Sequence, residues 1–506
     1  MVFRERIGAT FRRVGTVRVG ATVTLAPVDT MTRLLLSACA AILCFAAVAT
    51  AQQANRYGDG YSSPAAPAPI PYTPPNAGVV ATGQPAPTGR AAFLPPASSV
   101  NVYPATDPKS STGPTVPATS TLPPSGPDCG GCERLAKACC TPCGPDECGW
   151  VQADYLLWSV QGFQIPALVA RDAPGTPRTA VGLPGTPGQQ VLLGNSRQTG
   201  DLRSGFYING GLWLDECRQW AVSGDFFFLS TGSGGGRFSS AGDPPLSRPF
   251  FNAATGAPDA ELVSYPGVLS GTATVTERNT FVGGGAFLQR NLCCNFDGCD
   301  PCNPHGYRLD LLAGYRIYGL NDFLQVREYL VATGPGAVPA GMTLVVTDRF
   351  STQNLFNGAL LGLSGTARYG RWTVDGRVGA ALGDMHRELT VNGYTVVTEP
   401  GQPASARTGG LLAQPSNIGR FTSDTFTVVP ELGLTLGYRV ASGVEVHVGY
   451  TFLDLPSVWR AGDQIDRTVD PAQLRGGASA VGRPAPVLSS SSTIVQGMNF
   501  GVTFRF

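Results

Sequence analysis

The chain has 506 residues, a formal net charge of +1 and only 14% charged residues, against roughly 25% in ordinary soluble domains. That balance excludes a global basic field aimed at nucleic acid. Low charge with 65 glycines and 42 prolines suits a chain whose apolar residues are spread one in two along strands.

The first element in chain order is an export signal. Residues 31–51 read MTRLLLSACAAILCFAAVATA: Arg33 is the charged start, Leu34 to Val48 the apolar run, and Ala49-Thr50-Ala51 a small-x-small cleavage site. The run of about 15 residues is short for a membrane helix, which needs ~20. Its distance from Met1 points to translation starting at Met31. A lipoprotein reading at Cys39 fails, because too few residues separate it from Arg33. Residues 52–128, rich in Pro, Ala, Ser, Thr and Gly, lack apolar periodicity and are expected to form a disordered linker. It would reach on the order of 200 Å if extended.

A cysteine-rich segment, 129–148, follows with Cys129, Cys132, Cys139, Cys140, Cys143 and Cys148; further on lie Cys217, Cys293, Cys294, Cys299 and Cys302. Paired C-x2-C spacing can hold zinc. In an exported chain disulfides are the expected fate, and no mixed Cys/His pattern is formed, since only His305 lies near a cysteine group.

After Cys148 the chain alternates with period two. On 426–440, Phe426, Val428, Leu432, Leu434, Leu436, Tyr438 and Val440 oppose Thr427, Glu431, Gly433, Thr435, Gly437 and Arg439. On 444–452 Val444, Val446, Val448, Tyr450 and Phe452 oppose Glu445 and His447; on 307–317 Tyr307, Leu309, Leu311, Tyr315 and Ile317 oppose Arg308, Asp310 and Arg316; on 372–378 Trp372, Val374 and Val378 oppose Asp375 and Arg377. The last segment sets Met498, Phe500, Val502, Phe504 and Phe506 against Asn499, Thr503 and Arg505, with Gln496 breaking the apolar face. Such strands have one apolar and one wet face, as in an antiparallel transmembrane β-barrel. Strands are expected near 150–159, 205–214, 219–229, 269–290, 306–320, 344–365, 371–384, 421–440, 443–455 and 493–506. That is about ten, with twelve as the alternative count. The even-numbered connections are short and the odd ones long, with large loops at 160–204, 230–268 and 456–492. Short turns belong in the periplasm, which puts the N-terminal region and the cysteine groups on that side. The charged and polar residues of the wet face (Arg308, Asp310, Arg316, Asp375, Arg377, Glu431, Arg439, Glu445, His447 and Arg505) are the candidate lumen lining. Phe506, closing an aromatic strand, resembles the terminal signal read by barrel-insertion machinery.

Five segments give the chain a family likeness: Trp150-Val-Gln-Ala-Asp-Tyr-Leu-Leu-Trp158, Gly211-Leu-Trp-Leu-Asp-Glu-Cys217 running into Gly224-Asp-Phe-Phe-Phe-Leu229, Tyr307-Arg-Leu-Asp-Leu-Leu-Ala-Gly-Tyr-Arg316, Arg371-Trp-Thr-Val-Asp375 and Arg460-Ala-Gly-Asp-Gln-Ile-Asp466. Over about 149–506 the chain resembles the beta-barrel porin-7 family of bacterial outer-membrane proteins. The resemblance implies a barrel and a pore-like role; it carries no catalytic residues.

Catalytic patterns are not found: the sequence has no G-x-S-x-G, P-loop or H-E-x-x-H string. Asp463, Asp466 and Asp470 with Gln464 form an acidic loop that resembles a calcium ligand set, but Arg460 and Arg467 beside them favour a solvated loop tip. The expected function is a porin-like or structural outer-membrane barrel without enzymatic activity or cofactor. The alternative is a surface-binding protein displaying its long loops. Its expected partners are outer-membrane lipid, the insertion machinery and, through the linker, the cell wall; no nucleic acid is expected. A ten-stranded lumen should be narrow and largely filled by side chains.

Overall fold

The computed structural model describes residues 147–506 except 199, 298–304 and 335–338. The expected export signal, linker and most of the cysteine-rich segment lie outside the described residues.

Ten antiparallel strands form a closed ring: β1 (Gly149–Val160), β2 (Leu202–Trp213), β3 (Trp220–Leu229), β4 (Leu269–Asp297), β5 (His305–Ala332), β6 (Thr343–Tyr369), β7 (Trp372–Thr398), β8 (Gly419–Ala441), β9 (Val444–Val458) and β10 (Ser491–Arg505). Each pairs with its neighbour in sequence. β10 closes on β1, from Trp150 opposite Arg505 to Val160 opposite Val495. The closing seam is tied at its end by Gly149 N–H to Phe506 O at 2.9 Å and Phe506 N–H to Gly149 O at 3.0 Å. Among the described residues no helix is long and apolar enough to cross a membrane; the crossing is made by strands.

The ring is uneven in height. β1, β2, β3, β9 and β10 have 10 to 15 residues, close to the ~9–11 that a tilted membrane strand needs. β4 to β7 have 27 to 29 and β8 has 23. The ring is extended at one end, here the loop end; the opposite end is the turn end. A further strand, Gly232–Ser240, continues β3 upward and pairs with β4 from Gly271 to Asn279.

The outward face explains the alternation. Near the turn end, Trp220, Tyr307, Tyr369, Trp372 and Phe504 point outward; Leu311, Leu361, Val374, Leu434, Val446 and Phe500 continue the apolar face. Polar breaks in this face are partnered. Tyr450 donates its hydroxyl to Gln496 at 2.9 Å, Tyr315 to Asn357 at 3.0 Å, and Tyr155 lies 2.7 Å from Ser204 Oγ. Unpaired amides would be costly in lipid.

Past this face the polarity inverts. On β5, Tyr307 to Ile317 put apolar side chains outward. From Leu320 on, Leu324, Val326 and Leu330 point inward and are buried, while Gln325 and Arg327 point outward. The register against β6 runs on without a shift, so the inversion is made by sequence alone. β6 and β7 do the same: Phe350, Leu389 and Val391 are buried inside, with Arg349, Ser351 and Glu388 outside. The lower wall is a membrane protein and the upper wall an ordinary two-faced soluble sheet. The loops fill the upper wall. A sheet of loop strands, ordered Ala257–Ser264, Leu246–Asn252, Val169–Arg171 and Gln190–Leu193, packs inside it with Phe163, Leu168, Phe250, Val263 and Trp459 in one apolar core.

Three expectations need correction. β5 and β7 run about a dozen residues beyond the expected 320 and 384, because the phase of the alternation changes there. The connection expected from Asn291 to His305 is partly strand: β4 continues to Asp297 after a bulge between Asn291 and Cys293, so Cys293 and Cys294 lie on the ladder. The turn expected at 366–370 is tighter, with only Gly370 and Arg371 between β6 and β7. Gly370 has φ 59° and Gly443, in the β8–β9 turn, φ 72°, a left-handed backbone that glycine adopts without strain.

Candidate functional site: the barrel interior

Seen from the turn end, the interior is a stack of alternating layers. The first is polar, around a cavity of about 300 Å³. Nine of the ten expected lumen residues line it: Arg308, Asp310, Arg316, Asp375, Arg377, Glu431, Glu445, His447 and Arg505. Arg439 does not; it stands opposite Glu445 in the β8–β9 register.

Arg316 is the centre of this layer. Its Nε and Nη2 donate to the two Glu431 oxygens at 2.9 and 2.8 Å, and its Nη1 donates to Asp225. Tyr318 donates to Glu431 at 2.5 Å. Arg316 and Arg377 both stack on Phe287, 4.8 and 4.7 Å from the ring centre. This planar, bidentate geometry is one that arginine supplies and lysine does not. His447 Nε2 lies 2.9 Å from Asp154 Oδ1, and Nδ1 lies 3.4 Å from Thr503 Oγ1. Arg308 Nε pairs with Asp310 at 2.6 Å and its guanidinium lies over Trp213. At the rim, Glu147 stands between Arg368 at 3.5 Å and Arg505 at 3.8 Å.

Alternation alone did not find Asp154, Asp225, Arg368 and Glu147. Asp225 precedes Phe226-Phe227-Phe228, where three aromatics in a row hide the period. Arg368 falls in the stretch expected as a turn. Asp154 sits in a string of consecutive apolar residues whose facing is set only by its neighbours β2 and β10.

The second layer is apolar. Leu156, Trp158, Phe227, Phe281, Phe356, Leu453 and Val495 point inward and are buried against one another. Trp158 Nε1 donates to Asn499 at 2.6 Å.

The third layer is the socket of the last long loop. Arg460 reaches into the ring and donates through Nε to Asp322 at 2.6 Å and through Nη1 to Thr493 Oγ1 and Gln161 O, both at 2.8 Å. Asn354 brackets the Trp459 backbone, donating to its carbonyl at 2.9 Å and accepting from its N–H at 2.6 Å. The string Arg460 to Asp466 is therefore a locking element. Gln464 exchanges hydrogen bonds with the Ser489 backbone at 2.7 and 3.1 Å. Asp463, Asp466 and Asp470 bind three separate sets of donors within the loop: Ser491, then Arg483 with Ala485 and Thr468, then Ala472 with Ser479 and Ala480. Burial disfavours the charged Asp466, but the Ala485 N–H, Arg483 and the Thr468 N–H outweigh it and hold its carboxyl below the usual range.

Above lies the core shared by the loop sheet and the upper wall. Arg248, from the loop strand Leu246–Asn252, is 1% exposed and pairs with Glu328 on β5 and, at 2.7 Å, with Asp348 on β6. Asp348 also accepts from the Leu412 and Ala413 N–H groups at 2.9 and 2.8 Å. Burial and the neighbouring Glu328 carboxylate raise Glu261, beside this cluster, well above the usual range.

Among the described cysteines, Cys148 and Cys293, both at the turn end, are exposed and free. Cys217 and Cys294 are disulfide-bonded. Cys129, Cys132, Cys139, Cys140, Cys143, Cys299 and Cys302 lie outside the described residues.

A closed ring of ten strands with an apolar exterior and an ionic interior defines the class: an outer-membrane β-barrel. The chain belongs to the family described as "Putative beta barrel porin-7 (BBP7)", which it matches over residues 150–506. No curated protein matches it. Among solved structures it is similar to the outer membrane protease OmpT from Escherichia coli, at 10% identity and a TM-score of 0.30, covering 71% of this chain and 97% of that one. It is also similar to the P. putida toluene transporter TodX, at 10% identity and a TM-score of 0.18, covering 72% of this chain and 91% of that one.

Proposed function

We propose that this chain is a structural barrel of the bacterial outer membrane, without enzymatic activity, whose lumen does not conduct and whose loop end carries a folded cap on the outer surface. The observation that supports this reading is the stack of apolar layers. Trp158, Phe281 and Phe356 fill the ring above the polar cavity, and the loop core fills it again higher up. An ion would have to cross two dry layers, at a large desolvation cost. Short turns on one side support a periplasmic turn end, with the N-terminal region, and any contact of the linker with the cell wall, on that side. His447 with Asp154 and Thr503 has the residue types of a hydrolytic site. The backbone N–H groups around it are taken up by the β9 ladders, and its Nε2 is occupied by Asp154 at 2.9 Å. Exposed Val481, Val487 and Leu488 on the cap favour surface binding as a second reading.

Reconstitution of the refolded chain into planar bilayers tests the proposal. The expected record is flat, apart from brief events. Stable, stepwise conductance would overturn the closed reading and restore a porin.

A further inference from the structure

Above the lipid-facing band, the outward wall carries four arginines: Arg237 on Gly232–Ser240, Arg278 on β4, Arg327 on β5 and Arg349 on β6. Arg237 and Arg327 flank Thr274 from either side. Arg278 lies directly opposite Phe323, and the guanidinium groups of Arg278 and Arg349 both approach that ring, at 5.8 and 4.8 Å from its centre. Among the described residues of these four strands, no outward position above the band is Asp or Glu. The adjoining wall, β7 and β8, carries Asp384, Glu388 and Asp424 instead.

We propose that this arginine wall binds the head of a phosphorylated glycolipid in the surrounding leaflet, a reading that rests on the loop end facing outward. Charge complementarity favours an anion, and the paired guanidinium groups are held by the Phe323 ring in a form suited to phosphate. Height selects the kind of lipid. Arg278 lies four residues past Val282, about 13 Å along the strand, and Arg327 eight residues past Gly319, the partner of Val282, about 27 Å. A phospholipid head extends only ~5–8 Å above the hydrocarbon. A head of several phosphorylated sugars spans the patch; a simple phosphodiester does not.

The test is binding of purified lipopolysaccharide to the refolded full chain in neutral detergent, read by fluorescence titration. The comparison is with the double variant Arg278→Gln/Arg327→Gln. Binding at least tenfold weaker is expected for the double variant, and similarly weak binding of enzymatically dephosphorylated lipopolysaccharide to the unaltered chain. Arg420→Gln, on β8 and already paired with Glu388 at 2.6 Å, should bind as the unaltered chain does. Heat-modifiable migration reports whether each variant is folded. If the double variant is not folded, Arg327→Gln alone, exposed on the wall, is expected to bind at least threefold more weakly. Unchanged binding by the folded variants would overturn the proposal. So would displacement by inorganic phosphate, or equal binding of anionic phospholipid vesicles. Bilayer conductance is independent of all these outcomes, so this proposal and the closed-lumen reading fail separately.

Discussion

Arg460 and Arg248 grip the same wall at two heights, and each is a buried cation whose loss leaves carboxylates behind. Removing one partner of a buried pair costs about 3–5 kcal/mol. Arg460→Ala should release the last long loop from Asp322 and Thr493, and limited proteolysis should then cut within 456–490 while the lower ring keeps its heat-modifiable migration. A protease-resistant variant would mean that the apolar core alone seats the loop. Asp466 adds a pH dependence. Its carboxyl is held below its ordinary value, so its contribution to loop stability is complete above about pH 4. That contribution is lost as pH falls through the depressed value. Near-ultraviolet circular dichroism should record loosening below pH 4, and Asp466→Asn should weaken the loop at neutral pH and flatten that response. At this scale the sequence was legible where polar residues alternate cleanly, as at Arg308, Asp310 and Arg316. It was illegible where the partner is distant: nothing near Arg460 in sequence points to Asp322, 138 residues away.

At the scale of the strand, β10 is the clearest two-faced element and the one that closes the ring. Val502 faces lipid and Thr503 faces the polar cavity beside His447. Val502→Arg should cost about 2–4 kcal/mol near mid-membrane, and Thr503→Arg should be far milder because its side is wet. The folded fraction on unheated gels measures both, and equal effects would mean that the strand is not two-faced. Deleting Phe506 should lower that fraction further, since its backbone ties the seam to Gly149. Strands such as β5, β7, β8, β9 and β10 were visible as period-two segments because lipid and lumen demand opposite side chains. Their upper halves were not. Past Ile317 on β5 and Leu382 on β7 the demand is reversed, and an alternation that changes phase without a bulge reads as a strand that stops.

The whole molecule has two ends of different character, and the cysteines distinguish them. Cys148 and Cys293 are free and exposed at the turn end. If that end is periplasmic, a membrane-impermeant maleimide should label them poorly in intact cells and well after the outer membrane is permeabilised. Strong labelling of intact cells would reverse the topology. The sequence showed which connections are short and which long, but not that the long loops would fold together inside the wall, which depends on contacts between residues far apart. The uneven ring has a mechanical result. Five adjacent strands pass from the membrane into the cap without a hinge, and Arg248 and Arg460 are bolted to them. A pull on the cap therefore loads the inter-strand hydrogen bonds in shear, many at once, instead of peeling them in turn. The cap stands on a stiff mast fixed to one side of the barrel, and whatever it touches is held at a constant height and tilt above the membrane.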